Sequence, residues 1–227
     1  MGRGAVAAVA ITLLLAAMPS TADATGHRPN MPDGWKWPPT REMKREGKKC
    51  MRDLREMGVF FKKAPRKRKV TTPIIVPEMR FGPLFLVPTF RKPPFMMDCR
   101  LARGFAQYAE LISSLGVSEL RFSTIYQYRK VRTRRGGGGK GALSRHALGL
   151  AMDIFEFVTD TGDRIVVKDR YKKKDSTLLA VERSVLASMD FRTPLTPGND
   201  RSHRDHFHIE ARVDFIEDRS ITAMLAR

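Results

Sequence analysis

The sequence predicts an α+β domain in which helices pack on a small, mainly antiparallel sheet, preceded by an irregular proline-rich segment. Apolar residues recur at helical spacing in 97–116 and again in 175–191, which is typical of amphipathic helices. Runs rich in β-branched and aromatic residues at 117–129, 150–158 and 206–215 predict strands. Helical and strand patterns that follow one another in this way favour helices packed on a sheet.

The first 24 residues have the composition of a secretory signal peptide. Arg3 precedes an apolar run, and small residues end at Ala22-Asp23-Ala24. The run from Ala5 to Met18 is roughly 14 residues, whereas a membrane-spanning helix needs about 20. We therefore expect cleavage after residue 24 and a periplasmic or secreted mature protein without a transmembrane segment. An uncleaved N-terminal anchor is the alternative interpretation.

Two further segments precede the second half of the chain. Residues 25–49 are polar and lack a sustained period, so they are expected to form a polar arm. Residues 50–96 begin with a short helix that places Met51, Leu54 and Met57 at helical spacing. The prolines that follow confine the chain to edge strands or extended segments.

The segment from residue 97 onward predicts a regular alternation of elements. Its first helix ends at Gly116, and a strand follows. Thr161-Gly162-Asp163 is a turn that carries the chain from one strand into another. The next helix has Asp175 or Ser176 as its N-cap, and a strand through the last histidines closes the domain.

The formal net charge of +18 predicts anionic partners. For an exported chain these would be anionic envelope polymers, such as the carboxylates of peptidoglycan or phosphate-bearing polymers, and nucleic acid is not expected as a partner. The basic runs Arg66 to Lys69 and Tyr171 to Asp175 have a second interpretation as solvated surface.

The stretch "RDHFHIE", residues 204 to 210, predicts a strand with two imidazoles on one face. Side chains alternate along a strand, so His206, His208 and Glu210 share one face and Phe207 and Ile209 share the other. Imidazole nitrogens side by side suit a metal ion. Taken alone, the H-x-H pattern is also compatible with two surface histidines.

A second motif, "SRHALGLAMDIFEF", places His146 seven residues before Asp153. Asp153 lies in an apolar strand between Met152 and Ile154, where a charged carboxylate needs a partner to offset its desolvation. An arginine could be that partner. Together with the H-x-H pattern, however, the motif supplies two imidazoles and one carboxylate, which is a common set of catalytic zinc ligands.

These motifs resemble those of known families. "SRHALGLAMD" resembles the S-x-H-x-x-G-x-A-x-D signature of zinc D-alanyl-D-alanine peptidases, and "HRDHFHIE" resembles the closing H-x-H motif of penicillin-insensitive murein endopeptidases. "YQYRKVR", "LSRHALGLAMDIFEF" and "RDHFHIE", in this order, are similar to the bacterial extensin-like C-terminal domain family. The resemblance implies a hedgehog/DD-peptidase-like fold and a zinc peptidase-like domain over 97–227.

Carried onto this sequence, the resemblance implies that His146, Asp153 and His208 bind a zinc ion, Zn2+. It places His206 close to the metal and Asp205 where the carboxypeptidase branch has a glutamate general base. Aspartate is one methylene shorter than glutamate, and Asp205 is expected on the opposite strand face. Both His206 and Asp205 are therefore candidates for the base.

The resemblance also assigns roles around the metal ligands. Arg129 corresponds to an arginine that faces the developing oxyanion, and Ser144 and His203 correspond to substrate-side or supporting groups. The family often has Y-x-C-R where this chain has "YQYR", so a family cysteine is absent. The two cysteines of the chain, Cys50 and Cys99, are expected to form a disulfide in an oxidising compartment.

The resemblance implies a zinc-dependent, peptidase-like hydrolase that acts on D-amino-acid-containing peptides of peptidoglycan through metal-activated water. A second hypothesis is a non-catalytic peptidoglycan-binding module that keeps the peptidase fold. A third hypothesis, an envelope scaffold or adhesin that acts through the N-terminal arm, depends only on charge and on the proline-rich segment.

Overall fold

The structure, a computed structural model, describes residues 30–131 and 143–213. The predicted signal peptide, residues 1–24, lies outside these described residues, and so does the beginning of the predicted polar arm. Within the described residues, no helix combines the length and apolar character needed to cross a bilayer.

Helices and strands alternate along the chain. The helices are α1 (Arg41–Glu56), α2 (Cys99–Ser114), α3 (Val167–Arg170) and α4 (Ser176–Ala187). The strands are β1 (Lys62–Lys63), β2 (Pro73–Ile75), β3 (Arg80–Phe81), β4 (Leu84–Pro88), β5 (Met96–Asp98), β6 (Val117–Thr124), β7 (Ala151–Thr159), β8 (Arg164–Val166) and β9 (Phe207–Glu210). Short 3-10 helices span Arg145–Leu148, Tyr171–Lys173 and Arg201–His203.

The strands form two sheets. A three-stranded sheet has the order β1-β2-β5, and a six-stranded sheet has the order β3-β4-β6-β7-β8, with β9 also paired to β7. All pairs are antiparallel except β4 with β6, which is parallel. The α+β fold class with a mainly antiparallel sheet is confirmed, and the parallel pair adds a mixed character that the sequence pattern did not predict.

Helix α1 begins at Arg41, well before the helix predicted from Cys50. The side chain of Thr40 caps it by accepting a hydrogen bond from the backbone N–H of Met43. Gly47 lies so close to Thr72 that a Cβ there would be 2.3 Å from the Thr72 hydroxyl. The sequence did not predict the first part of this helix because residues 41–49 are mostly polar. Only a narrow stripe of the helix faces the core.

Helix α2 is the central helix of the core. Asp98 caps its first turn, and Phe105 is fully buried between Phe81 and Phe191, with ring centroids 6.0 and 5.4 Å away. The disulfide between Cys50 and Cys99 joins α1 to α2, with a Cα–Cα distance of 6.2 Å. This pairing confirms the prediction made from the cysteine count.

The proline-rich segment forms short strands, and one of them is not an edge strand. β2 lies between β1 and β5, although proline density predicts edge positions. Pro73 is the first residue of β2, and its carbonyl accepts a hydrogen bond from Ala64. A proline at the start of a strand removes no ladder bond from its interior, which explains the central position.

Candidate metal centre

The pairing of β7 with β9 places the carboxylate of the first strand opposite an imidazole of the second. The register pairs Asp153 directly with His208. Residues that face each other across an antiparallel pair have side chains on the same face of the sheet. Two residues that are 55 apart in the sequence therefore meet by strand register alone.

The third donor comes from the turn that precedes β7. His146 lies in the 3-10 helix Arg145–Leu148, and the hydroxyl of Ser144 caps this helix by accepting from the backbone N–H of His146 at 3.3 Å. Gly149 ends the helix at φ 68°, and a Cβ there would lie 2.8 Å from the backbone nitrogen of Asp98. This tight return brings His146 over the start of β7.

The three side chains converge on one point. His146 Nε2 is 3.1 Å from Asp153 Oδ1 and 3.2 Å from His208 Nδ1, and His208 Nδ1 is 2.7 Å from Asp153 Oδ1. All three residues are buried. Donors bound to one tetrahedral zinc ion at about 2.0–2.1 Å would lie roughly 3.3 Å apart, so the arrangement fits a divalent ion after a small opening of the Asp153–His208 contact.

Each imidazole is held by its other nitrogen. His146 Nδ1 is 2.9 Å from the carbonyl oxygen of Ile125, and His208 Nε2 is 3.0 Å from Glu210 Oε1. A carbonyl and a carboxylate only accept, so these nitrogens carry the protons, and His146 Nε2 and His208 Nδ1 face Asp153. Such partners fix the ring orientation of metal-binding histidines.

Burial and neighbouring charges move the pKa values in the centre. Burial lowers the pKa of His146. Burial would also lower the pKa of His208, but its hydrogen bonds to Asp153 and Glu210 outweigh burial and raise the pKa to about 9. The pKa of Asp153 is lowered: burial opposes this shift, and the interactions with the His146 and His208 side chains outweigh it. His208 is therefore the imidazole that must lose a proton before both rings can donate lone pairs to an ion.

His206 lies beside this centre, in the bend before β9. Its Nε2 is 3.5 Å from Asp153 Oδ1, its Nδ1 is 2.8 Å from Asp205 Oδ1, and its ring stacks on Phe155 with centroids 4.8 Å apart. The expectation that Asp205 points away from His206 was wrong. β9 begins only at Phe207, so strand alternation does not apply to residues 205 and 206.

The remaining predicted residues are His203, Ser144 and Arg129. The ring of His203 lies 5.2 Å from that of His208, and its Nδ1 is 3.0 Å from Asp200. Arg129 is exposed, and its carbonyl accepts a hydrogen bond from the N–H of Ser144 at 3.0 Å. Its guanidinium contacts no carboxylate within the described parts of the chain, so it is available to a ligand.

Two supporting residues have no role in the sequence prediction. Glu210 Oε1 holds His208, and its Oε2 is 3.0 Å from a guanidinium nitrogen of Arg192. The pKa of Glu210 is lowered because, although burial would raise it, the contacts with His208 and the nearby Arg145 and Arg192 outweigh burial. The alternation H-x-E was the only signal for Glu210, and no local pattern indicates Arg192.

Comparison with known families gives one match. A family model described as the extensin-like protein C-terminus matches residues 48–218. The chain belongs to the extensin-like protein C-terminus family. In this extensin-like domain the match includes both cysteines and every residue of the candidate centre, and it begins inside α1. No curated protein and no solved structure matches the chain.

Proposed function

We propose that this extensin-like domain is a zinc-dependent hydrolase that cleaves amide bonds in D-amino-acid-containing peptides of peptidoglycan. The observation that carries the proposal is the convergence of His146, Asp153 and His208, whose donor atoms lie 2.7 to 3.2 Å apart. Two imidazoles and one carboxylate are a ligand set of catalytic zinc sites, which leave one coordination position open. Zinc at such a site lowers the pKa of a water toward about 7 and polarises a substrate carbonyl.

The chain supplies a proton acceptor beside this ligand set. Asp205 fixes the Nδ1 proton of His206, which leaves Nε2 as an acceptor on the side of Asp153. This arrangement matches the general-base pairs of hydrolases, in which a carboxylate holds the tautomer and the imidazole takes the proton. His206 and Asp205, the two candidates for the general base, therefore act together. His206 is the base, and Asp205 positions its ring.

We infer that Arg129 supplies a cation to the substrate of the centre. Its backbone is bonded to Ser144, the cap of the 3-10 helix that carries His146, and its side chain is exposed. A guanidinium in this position can stabilise negative charge that grows on a carbonyl oxygen during hydrolysis. Ser144 and His203 help to position the groups around the substrate.

The substrate class follows from the resemblance to zinc D-alanyl-D-alanine peptidases, together with the charge of the chain. A net charge of +18 suits a carboxylate-rich sacculus. The leader sequence and the Cys50–Cys99 disulfide favour an oxidising compartment, so we place the protein in the periplasm or outside the cell.

One observation favours a second candidate function, a non-catalytic peptidoglycan-binding module. His208 lies between two carboxylates, Asp153 at 2.7 Å and Glu210 at 3.0 Å, so a protonated His208 satisfies the cluster as an ion-pair network. In that case the residues would stabilise the fold and bind no ion.

Metal analysis followed by a muropeptide assay tests the proposal. The protein purified without chelator is expected to contain about one zinc per chain, and incubation with muropeptides is expected to give shortened peptides by mass spectrometry. Asp153→Asn should lose both properties, and Asp163→Asn, in the exposed turn before β8, should keep both. If the wild type takes up no metal on titration and cleaves no muropeptide, the binding module is the correct function.

A further inference from the structure

A cleft of about 460 Å³ lies between the connection from β1 to β2, the segment before β5 and the end of β6. This volume falls in the range of pockets that bind small ligands. We call it the basic cleft, and its lining residues include Arg66, Lys67, Arg91, Lys92, Phe95 and Tyr126.

Four cations and no carboxylate line the basic cleft. Within the described residues, none of these cations lies within 4.0 Å of a carboxylate oxygen. Ile75 and Phe95 contribute apolar surface between the cations, and the ring of Phe95 packs against Phe122 with centroids 5.0 Å apart. The surface therefore presents positive charge around an apolar floor, which suits an anionic ligand with small apolar groups.

Arg66 and Lys67 of the cleft belong to the basic run 66–69, and this run lies against aromatic rings. Each of its four cations lies within 6 Å of a ring centroid: Arg66 over Trp37 at 5.5 Å, Lys67 over Tyr126 at 5.4 Å, Arg68 over Tyr128 at 4.3 Å and Lys69 over Trp35 at 5.4 Å. Arg66, Lys67 and Arg68 are exposed to solvent, and the rings restrict the directions that their side chains can take. A wall ordered before binding loses less conformational entropy when a ligand arrives.

The basic cleft and the candidate metal centre share a segment of chain. Ile125 lines the cleft, and its carbonyl oxygen holds Nδ1 of His146 at 2.9 Å. Tyr126 also lines the cleft, and the N–H of Gln127 donates to the carbonyl of His146 at 3.2 Å. A ligand in the cleft therefore contacts the segment that orients one of the three metal-binding side chains.

We infer that the basic cleft binds the carboxylates of an acidic peptide and so anchors the part of the substrate that is not cleaved. This inference rests on the proposed function, because the peptide held in the cleft would be the same substrate that reaches the metal centre. Guanidinium and ammonium groups pair with carboxylates. The apolar floor would accommodate side chains of the size of alanine. A phosphate polymer has no such apolar groups.

A pair of charge-matched variants tests the inference. Arg91→Ala with Lys92→Ala removes two exposed charges from the cleft, and Lys172→Ala with Lys173→Ala removes two exposed charges from the 3-10 helix after α3. The probe is a dye-labelled peptide of D-glutamate and D-alanine, and its binding to the full-length chain is followed by fluorescence anisotropy. The Kd is expected to rise about tenfold or more for the cleft variant and less than about twofold for the control.

Amidation of the peptide carboxylates should weaken binding to the wild type and abolish the difference between the two variants. Equal affinities of the two variants for the free-acid peptide, or full affinity of the amidated peptide, would overturn the inference. Binding of inorganic polyphosphate through Arg91 and Lys92, without any binding of the acidic peptide, would also overturn it and assign the cleft to phosphate polymers.

The two proposals fail in distinguishable ways. Neither Arg91 nor Lys92 belongs to the candidate metal centre, so the zinc content of the cleft variant should equal that of the wild type. If muropeptides are cleaved and the cleft variant has an unchanged KM, the inference about the cleft is wrong and the hydrolase stands. If the acidic peptide binds through Arg91 and Lys92 but no peptide is cleaved, the cleft is an anchor of a binding module and the hydrolase is wrong.

Discussion

Asp153 and His208 face each other across β7 and β9, and one carboxylate oxygen of Asp153 lies 2.7 Å from Nδ1 of His208. His206, two residues before His208, lies 3.5 Å from the same oxygen through Nε2. The two histidines differ in their second contact, because His208 is held by the buried Glu210 and His206 by the partly exposed Asp205. This difference is the basis for the roles proposed here, His208 as a metal ligand and His206 as a proton acceptor.

His208→Ala and His206→Ala are accordingly expected to differ in kind. His208→Ala should lose most bound zinc and all hydrolysis, because one of three ligands is removed. His206→Ala should keep most of the zinc and lower turnover by roughly 10²- to 10⁴-fold, as expected for loss of a general base. Elemental analysis and muropeptide kinetics measure the two effects. Equal zinc loss in both variants would contradict the assignment of His206 as the base.

Asp205→Asn tests the positioning of His206. An asparagine amide can donate to Nδ1 and so favour the tautomer with its proton on Nε2, which is the wrong nitrogen for a proton acceptor. Turnover should fall while zinc content stays unchanged, and the pH dependence of turnover should shift. An unchanged pH profile would show that Asp205 has no influence on His206.

Glu210→Gln is expected to weaken zinc binding by about 10- to 100-fold without removing a ligand. The glutamine amide holds His208 less strongly than the carboxylate does, and it loses the ion pair with Arg192. A zinc competition assay with a coloured chelator measures the affinity. Glu182→Gln is a control that changes a carboxylate bonded to Tyr171 and Thr196, away from the centre, and it should bind zinc like the wild type.

The raised pKa of His208 predicts opposite pH trends for zinc affinity and for stability without zinc. His208 has a pKa of about 9 in the folded chain and about 6.5 when unfolded. Its contribution to the stability of chelator-treated protein is therefore fully present below pH about 6.5 and is lost as pH rises toward 9. Zinc affinity should rise over the same interval, because binding requires an unprotonated ring.

Thermal unfolding and zinc titration between pH 6 and 9 measure these trends. His208→Ala should remove the pH dependence of zinc-free stability in this interval. Zinc affinity that stays constant from pH 6 to 9 in the wild type would show that His208 is not among the ligands.

The Cys50–Cys99 disulfide should contribute about 4 kcal/mol to the free energy of unfolding, because it closes a loop with a sequence separation of 49 residues. Thiol labelling of the denatured, unreduced protein should find no free thiol. Cys50→Ser with Cys99→Ser should lower the midpoint of denaturant unfolding. Two reactive thiols per chain would contradict the pairing.

Some helices and strands could be predicted from the sequence because the apolar pattern that produces them lies within the element itself. The apolar period of α2 and the apolar run around Asp153 are visible in a short window. The start of α1 is not visible there, because few apolar residues in 41–49 face the core and one buried position is Gly47, a poor helix former. The parallel pairing of β4 with β6 depends on tertiary packing, which periodicity does not encode.

In the candidate site, too, some residues could be predicted from the sequence and others could not. The resemblance to family motifs implied the set His146, Asp153 and His208, and the structure brings these three side chains together. The position of His206 could not be predicted because it depends on where β9 begins, and a shift of one residue changes which face a side chain takes. Arg192 is invisible in the sequence because it reaches the site through tertiary contacts with Glu210.

The register between β7 and β9 also has a consequence for biosynthesis. Asp153 is made 55 residues before His208, so a growing chain contains the acidic side chain of β7 long before its partner strand exists. The ladder of β6, β7 and β8 and the Cys50–Cys99 bond use only earlier residues and can form first. A chain that lacks β9 therefore holds only two of the three candidate donors, His146 and Asp153.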